Sequence, residues 1–404
     1  MRVLMVAPGT RGDVAPMAGL GSQLTRAGFD VSIAANSTYE TLVTDAGCGF
    51  RLLPGDMGNL VTPAPAGQKA SVSVLRQYMR DLGDYMQQAA EGTLAAAQNG
   101  VDVILANSVS PYAFDVAEAF NVPAIGAYLQ PMEPSTDYAP MALGMTRNFG
   151  PFVNKLLGTA FARAKAPYDA PSAVLRRELG LPKKSRSAAE RQRRKVRETI
   201  LHGFSSAVVP RPHDWHPGLI TAGYWWPMIQ PEWTPSAELT DFIADGPAPV
   251  FIGFGSSDAL DVDFMIDTAR KAGVRAILQG VEGVNEANAL SIGAVPHSWL
   301  FPQMAAVVHH AGAGTAAAGL RAGVPTVSVP IFTDQPFWAR RITELGAGPA
   351  AIPYNSLSVE KLSESIGQAI SNPEYRTKAQ TVSLKLADED STQPVIEALR
   401  AHAK

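Results

Sequence analysis

The chain has 404 residues, 46% of them hydrophobic and 18% charged, with a formal net charge of −3. That length exceeds one ordinary core and predicts two domains, and the charge leaves no basic field to hold a nucleic-acid backbone. A single cysteine, Cys48, excludes an internal disulfide and a multi-thiolate zinc site. No apolar run reaches the roughly 18–20 residues of a membrane-spanning helix, so no stable membrane insertion is expected.

RVLMVA opens the chain as a predicted strand. A glycine turn follows, then a helix over DVAPMAGLGSQLTRAG that starts near Val14, and FDVSIAA is the next strand. Residues 69–98 read as a long helix, or two, with Leu75, Tyr78, Met79, Leu82, Tyr85 and Met86 at helical spacing. Such a stripe suits a core; with Met132, Met141, Met145, Phe149 and Phe152 it also suits an apolar cleft, because methionine adapts to irregular partners. VDVILAN, PYAFDVAEAF and VPAIGAYL continue the strand–helix–strand rhythm. The basic run KKSRSAAERQRRK (183–195) reads as a solvated loop or exposed helix.

Between Pro210 and Pro249 the texture changes: eight prolines and four of the six tryptophans crowd into a stretch with little periodicity, which reads as an interdomain connection. A second series follows, with strands at PVFIGFGS, VRAILQG, AAVVHH and PTVSVPIF and helices at DVDFMIDTARKAG and QPFWARRITELG. The predicted fold is α/β, two doubly wound Rossmann-like domains facing across a cleft. The expected boundaries are 1–209, a linker over 210–249, and 250–404, the last helix packing back on the first domain. The opening MRVLMVAPGTRGD shows no leader pattern, and the expected location is the cytoplasm.

HHAGAGTAAAGLRAGVP (309–325) places two histidines at a strand-to-helix junction, where free N–H groups and the positive end of the helix dipole suit a phosphate. Successive strand side chains point to opposite faces, so His309 and His310 cannot both reach one ligand. A nicotinamide enzyme is disfavoured: APGTRGDVAP is not G-x-G-x-x-G, and Asn36 stands where an acid would take the ribose hydroxyls. Asp261 and Asp263 of DVD have the form of a metal-holding pair, but they open a predicted helix, where acids cap and offset the dipole.

The stretches GTRGDVAP (9–16), PSAVLRRELGLP (171–182), VVPRPHDWHPGLITAGYWW (208–226), FIGFGSS (251–257) and VPHSWLFPQMAAVVHHAGAGTAAAGLRAGVPTVSVPIFTDQPFWARRI (295–342) span nearly the whole chain. Together they resemble the GT-B family-1 glycosyltransferases, in the branch holding sterol glucosyltransferases and antibiotic-biosynthesis glycosyltransferases. Ala311 departs from the family by replacing the first glycine after the histidines. The resemblance assigns the donor's diphosphate to His310, with Ser256 and the backbone of Gly312, Ala313, Gly314 and Thr315, and leaves His309 structural. It assigns the sugar hydroxyls to Asp334 and Gln335, although Asp334 would also suit the cap of the helix that follows. It gives the general base to Asp13, a residue that would equally cap the first helix. Relatives stack the nucleotide's base on a tryptophan where this chain has Ala294; Trp299 could serve instead or plug the core.

The implied activity is inverting, metal-independent transfer of a sugar, glucose from UDP-glucose or a dTDP-deoxysugar, to a hydroxyl of an apolar acceptor such as a sterol or natural-product aglycone. The nucleotide sugar is a co-substrate, with no resident cofactor or metal. The first domain would hold the acceptor and the second the donor. A nucleotide-sugar epimerase and a non-enzymatic two-domain ligand-binding protein are the rival readings. Oligomeric state is left open, a homodimer included.

Overall fold

The computed structural model describes residues 1–55, 60, 71–145, 147–230, 232–255 and 260–402. Its strands form two sheets. The first holds β1 (Arg2–Val6), β2 (Asp30–Ala35), β3 (Gly49–Leu52), β4 (Val103–Ala106), β5 (Ala124–Tyr128), β6 (Ile200–His202) and β7 (Leu219–Thr221). Their order is β3-β2-β1-β4-β5-β6-β7 and every pairing is parallel. Helices α1 (Arg11–Arg26), α2 (Glu40–Asp45), α3 (Val72–Gln98), α4 (Tyr112–Phe120), α5 (Pro151–Arg163), α6 (Asp169–Glu178) and α7 (Arg186–Lys195) make the connections.

The second sheet holds β8 (Val250–Gly253), β9 (Ala276–Gln279), β10 (Asn285–Glu286), β11 (Ala289–Ile292), β12 (Ala306–His309) and β13 (Thr326–Ser328) in the order β10-β11-β9-β8-β12-β13. Around it lie α8 (Ala237–Ala244), α9 (Val262–Ala272), α10 (His297–Leu300), α11 (Ala313–Ala322), α12 (Gln335–Glu344), α13 (Val359–Ser371), α14 (Pro373–Ala387) and α15 (Gln393–Ala401). Strands such as β4 and β8 are buried at every residue because helices cover both faces, which is why they read as unbroken apolar runs. In each sheet the strand order reverses once, between β1 and β4 and between β8 and β12. Such a reversal splays the two following loops apart and opens a crevice at the strands' carboxyl ends.

Several local expectations are revised. Helix α1 begins at Arg11 with Thr10 in the N-cap position, so Asp13 is not the N-cap; from the third position of the helix its carboxylate accepts the Thr10 N–H and completes a capping box. The proline-rich stretch is not uniformly irregular: β7 extends the first sheet, and α8 contributes Leu239 to the core beneath the second. The antiparallel hairpin β10–β11 gives no clear sequence signal because β10 is only two polar residues long and β11 only four residues. The residue stripe on α3 divides: Tyr85 and Met86 are core, whereas Leu75 and Met79 are exposed, as are Phe149 and Phe152. The basic run forms α7, whose Arg186, Arg193 and Arg194 pair with Asp169, Glu198 and Glu133.

One apolar cluster joins the halves, bringing Phe204, Trp215 and Tyr224 together with Leu320, Phe337 and Trp338. Ser205 donates its hydroxyl proton to Glu389, and Arg341 donates to the Val208 carbonyl at 2.8 Å. Helix α15 returns to the first half, where Val395 and Leu399 are fully buried in the core that contains Met17 and Leu20.

Candidate active site

Both crevices carry the residues that the sequence singles out. After β1 the chain turns at Gly9, with φ of +125°, and enters α1. A Cβ at Gly9 would lie 2.4 Å from the Asp13 carboxylate, so this close approach requires glycine. One oxygen of that carboxylate, Oδ2, accepts from the Thr10 backbone N–H at 2.9 Å and from the Thr10 hydroxyl at 3.2 Å. The Tyr85 hydroxyl accepts the Gly9 N–H at 2.9 Å and donates to Asn36 Oδ1 at 2.8 Å. Asn36 is therefore a buried fastener between the turn and the Leu53 and Gly55 carbonyls. Burial raises the Asp13 pKa above the usual carboxylate range, against the bonds from Thr10 and a contribution from Asn107.

On the other side, β12 ends in two histidines with opposite environments. His309 is fully buried, and its Nδ1 accepts the Ala311 N–H at 2.9 Å. That bond fixes the Nε2–H tautomer and holds Ala311 in the left-handed region at φ of +60°. His310 is half-buried between Gly255 and Gly312, where added Cβ atoms would come within 3.1 and 2.6 Å of its ring. Its buried Nδ1 has no hydrogen-bond partner among the described residues. Burial lowers the pKa of both rings, so both are neutral at pH 7. Helix α11 starts at Gly312 without a side-chain cap, leaving the N–H groups of Ala313, Gly314 and Thr315 in its first turn. A Cβ at Gly314 would meet nothing within 4 Å, so the space above this turn is open.

Asp334 occupies the position before α12 but does not cap it. Its carboxylate accepts from the Trp338 indole at 2.9 Å and the Thr333 hydroxyl at 3.1 Å. Gln335 is buried and uses Oε1 to accept the Ile331 and Phe332 N–H groups, which leaves its Nε2 for other partners. The negative charge of Asp334 raises both Asp13 and His310, which places the three groups in one field across the cleft. Thr333 and Pro336 also approach Gly144 of the first half, and Tyr138 packs edge-to-face on Phe337 with centroids 5.4 Å apart. Arg11 adds a positive charge felt by His297 from the opposite side.

The remaining candidates fall elsewhere. Ser256 lies outside the described residues. Asp261 caps α9, its carboxylate accepting the Phe264 N–H at 2.7 Å. Trp299 packs edge-to-face on Trp233 at 5.4 Å, beside a cavity of about 220 Å³ lined by Ile292, Gly293 and Val295. Asn107, Tyr85 and Asn36 are parts of this region that the sequence reading does not include. Their signal is three-dimensional: Tyr85 reaches Gly9 from α3, and Asn36 joins through the Tyr85 hydroxyl.

Sheet order, facing crevices and the uncapped α11 define a two-domain GT-B architecture. The family described as erythromycin biosynthesis protein CIII-like, C-terminal domain, matches residues 261–401. O-mycaminosyltylonolide 6-deoxyallosyltransferase of Streptomyces fradiae is 32% identical, over 96% of this chain and 94% of its own. Sterol 3-beta-glucosyltransferase UGT80A2 of Arabidopsis thaliana is 28% identical, over 100% of this chain and 66% of its own. Among solved structures, the glycosyltransferase VinC in complex with dTDP has a TM-score of 0.71 at 19% identity, covering 100% of this chain and 99% of its own. The calicheamicin glycosyltransferase CalG4 has 0.70 at 16%, covering 99% and 98%. The chain belongs to the family-1 glycosyltransferases of the GT-B fold, in the branch of sterol glucosyltransferases and antibiotic-biosynthesis glycosyltransferases. It is a glycosyltransferase.

Proposed function

We infer that this enzyme transfers a hexosyl group with inversion from a nucleoside diphosphate sugar to a hydroxyl of an apolar acceptor, without a metal. The donor is UDP-glucose or a dTDP-deoxysugar, and the acceptor is of the sterol or natural-product aglycone class. The reading is supported by the close turn that carries Asp13 after β1, by the uncapped start of α11 beside His310, and by the charge of Asp334 felt at both Asp13 and His310. The acceptor oxygen attacks the anomeric carbon as its proton passes to Asp13 Oδ1, the oxygen not engaged by Thr10. The bond from that carbon to the diphosphate breaks, and its electron pair leaves on the phosphate oxygen. His310 and the first-turn N–H groups of α11 bind that developing charge. A single in-line displacement inverts the anomeric centre. Asp334 and the free Nε2 of Gln335 suit two neighbouring sugar hydroxyls.

The comparisons favour neither an epimerase nor a non-enzymatic binding protein. The deciding variant is Asp13→Asn, which preserves an acceptor for the Thr10 N–H and removes the base. Melting temperature and nucleotide affinity should stay near wild type while turnover falls about 10²-fold or more. Normal turnover per folded molecule would move the base elsewhere in the cleft, with Asp334 next to examine.

A further inference from the structure

Among the described residues, four that are not glycine have positive φ: Asn121, Arg197, Ala311 and Thr333. Asn121 and Arg197 lie just beyond α4 and α7, where such a conformation is ordinary. Ala311 is held by the His309 ring. Thr333 is the outlier, because a branched Cβ makes φ of +52° costly. After it, Asp334 has φ of −85° and ψ of −11°, and the Gln335 N–H donates to the Phe332 carbonyl at 3.2 Å. Together these values fit a type II′ turn over residues 332–335, whose first central residue is normally glycine. The turn is fixed from outside. Gln335 Oε1 accepts the Ile331 and Phe332 N–H groups, and the Thr333 carbonyl lies 3.5 Å from a Cβ placed on Gly144 of the first half. Strain of this kind persists only where the surroundings over-determine it, which turns attention to the use of the side chain. The Thr333 hydroxyl donates to Asp334 Oδ1 at 3.1 Å, and the Trp338 indole donates to Oδ2 at 2.9 Å. A donor on each oxygen fixes the plane of the carboxylate, and each oxygen keeps lone-pair capacity for a further donor. Glycine would relax the turn and lose the first of these clamps.

We propose that Thr333 is a positioning residue for Asp334 and, through it, sets how sharply the enzyme distinguishes donor sugars that differ at one hydroxyl. The inference rests on Asp334 as a sugar contact. A carboxylate free to swing can follow a hydroxyl that has moved from an equatorial to an axial position. A clamped carboxylate cannot, and one of its oxygens is then left unpaired inside the site. That penalty falls on the wrong sugar and spares the nucleotide. With threonine the turn is less stable and the sugar is read more sharply.

The test compares kcat/KM for UDP-glucose with that for its 4-epimer, UDP-galactose, or for the corresponding dTDP pair if the thymidine nucleotide binds better. Thr333→Val keeps the branched shape and removes the hydroxyl. Thr333→Gly removes hydroxyl and strain together, and it serves if the valine variant folds poorly, since glycine suits the turn. Thr333→Ser keeps the hydroxyl. The valine and glycine variants should narrow the ratio between the two sugars about tenfold, whereas the serine variant should retain it. The rise in melting temperature induced by UDP or dTDP alone should be unchanged in all three. An unchanged ratio in the glycine variant, or a serine variant that loses selectivity as glycine does, overturns the proposal. Asp334→Ala separates the two readings. If it leaves the ratio at the wild-type value, the sugar contact assigned to Asp334 fails. If it collapses the ratio and Thr333→Gly does not, the Thr333 assignment alone fails.

Discussion

At the end of β12, His309 Nδ1 is occupied by the Ala311 N–H, while His310 Nδ1 has no partner among the described residues. His309→Ala should therefore cost about 2–3 kcal/mol of stability, through a lost hydrogen bond and a small cavity, with little effect on nucleotide binding. His310→Ala should do the reverse. Loss of one hydrogen bond to an anionic phosphate weakens nucleotide binding about tenfold or more while leaving the fold intact. Both effects appear in melting curves taken with and without UDP and dTDP, because a ligand bound only to the folded state raises the melting temperature by mass action. The nucleotide giving the larger shift on the wild-type protein identifies the donor class. Exchanged phenotypes would mean that the strand presents its faces the other way round.

Two helices of the second half begin in contrasting ways. Helix α9 is capped by its own Asp261, whereas α11 opens on Gly312 with no side chain over its first N–H groups. The first helix end is closed and the second is available to an anion. Activity should accordingly persist in excess EDTA, measured as product formed per minute with a fixed donor. Loss of turnover that Mg²⁺ or Mn²⁺ restores would return Asp261 and Asp263 to consideration. The same contrast explains what could be read from the chain. The two strand-to-helix junctions that carry Asp13 and His310 were legible because strand, turn and helix are contiguous in the chain, whereas the roles given to the two residues come from the family resemblance. The neighbourhood of Asn107 was not, because it follows β4, which lies beside β1 although the two strands are about a hundred residues apart in the chain. Tyr85 read as core, which it is, but its hydroxyl is used at Gly9, a contact that helical periodicity does not encode. Strand β7 and helix α8 lay hidden among prolines because each is short and takes its stability from a sheet assembled elsewhere.

Over the whole molecule, buried neutral imidazoles should set the response to acid. His202 stacks on Trp215 with centroids 4.5 Å apart, and burial pulls its pKa to about 3; His297 stacks on Phe301 at 4.2 Å and is pulled to about 4. His309 is also strongly lowered. Each folded-state pKa lies below the unfolded value near 6.5, so the unfolded chain binds protons that the folded one refuses. Stability is complete above that pH and falls below it, by about 1.4 kcal/mol per pH unit for each ring, until the folded pKa is reached. Glu198, raised to about 7 by burial, opposes this between its unfolded value and 7, since there the folded state takes the extra proton. Urea midpoints should thus decline from pH 6.5 to 5.5, where three lowered imidazoles outweigh Glu198, and His202→Phe should make the decline shallower. A flat profile would show that these rings find protons in the folded state.

The chain passes between its halves twice, and the two passages lie side by side. A Cβ at Gly223, on the outward passage, would lie 3.0 Å from the Ser391 side chain on the return, and the Trp225 indole donates to the Ser391 carbonyl at 3.3 Å. Two widely separated crossings would brace the halves like a frame. Adjacent crossings act as a single pin, resisting sliding and detachment and leaving rotation about that edge to be opposed by the apolar cluster that joins the halves. The opposite edge then has the longest lever arm, so a few degrees at the pin become the largest displacement there. Turnover of large acceptors should consequently be most sensitive to substitutions at Gly223 and Ser391, far from any reacting atom.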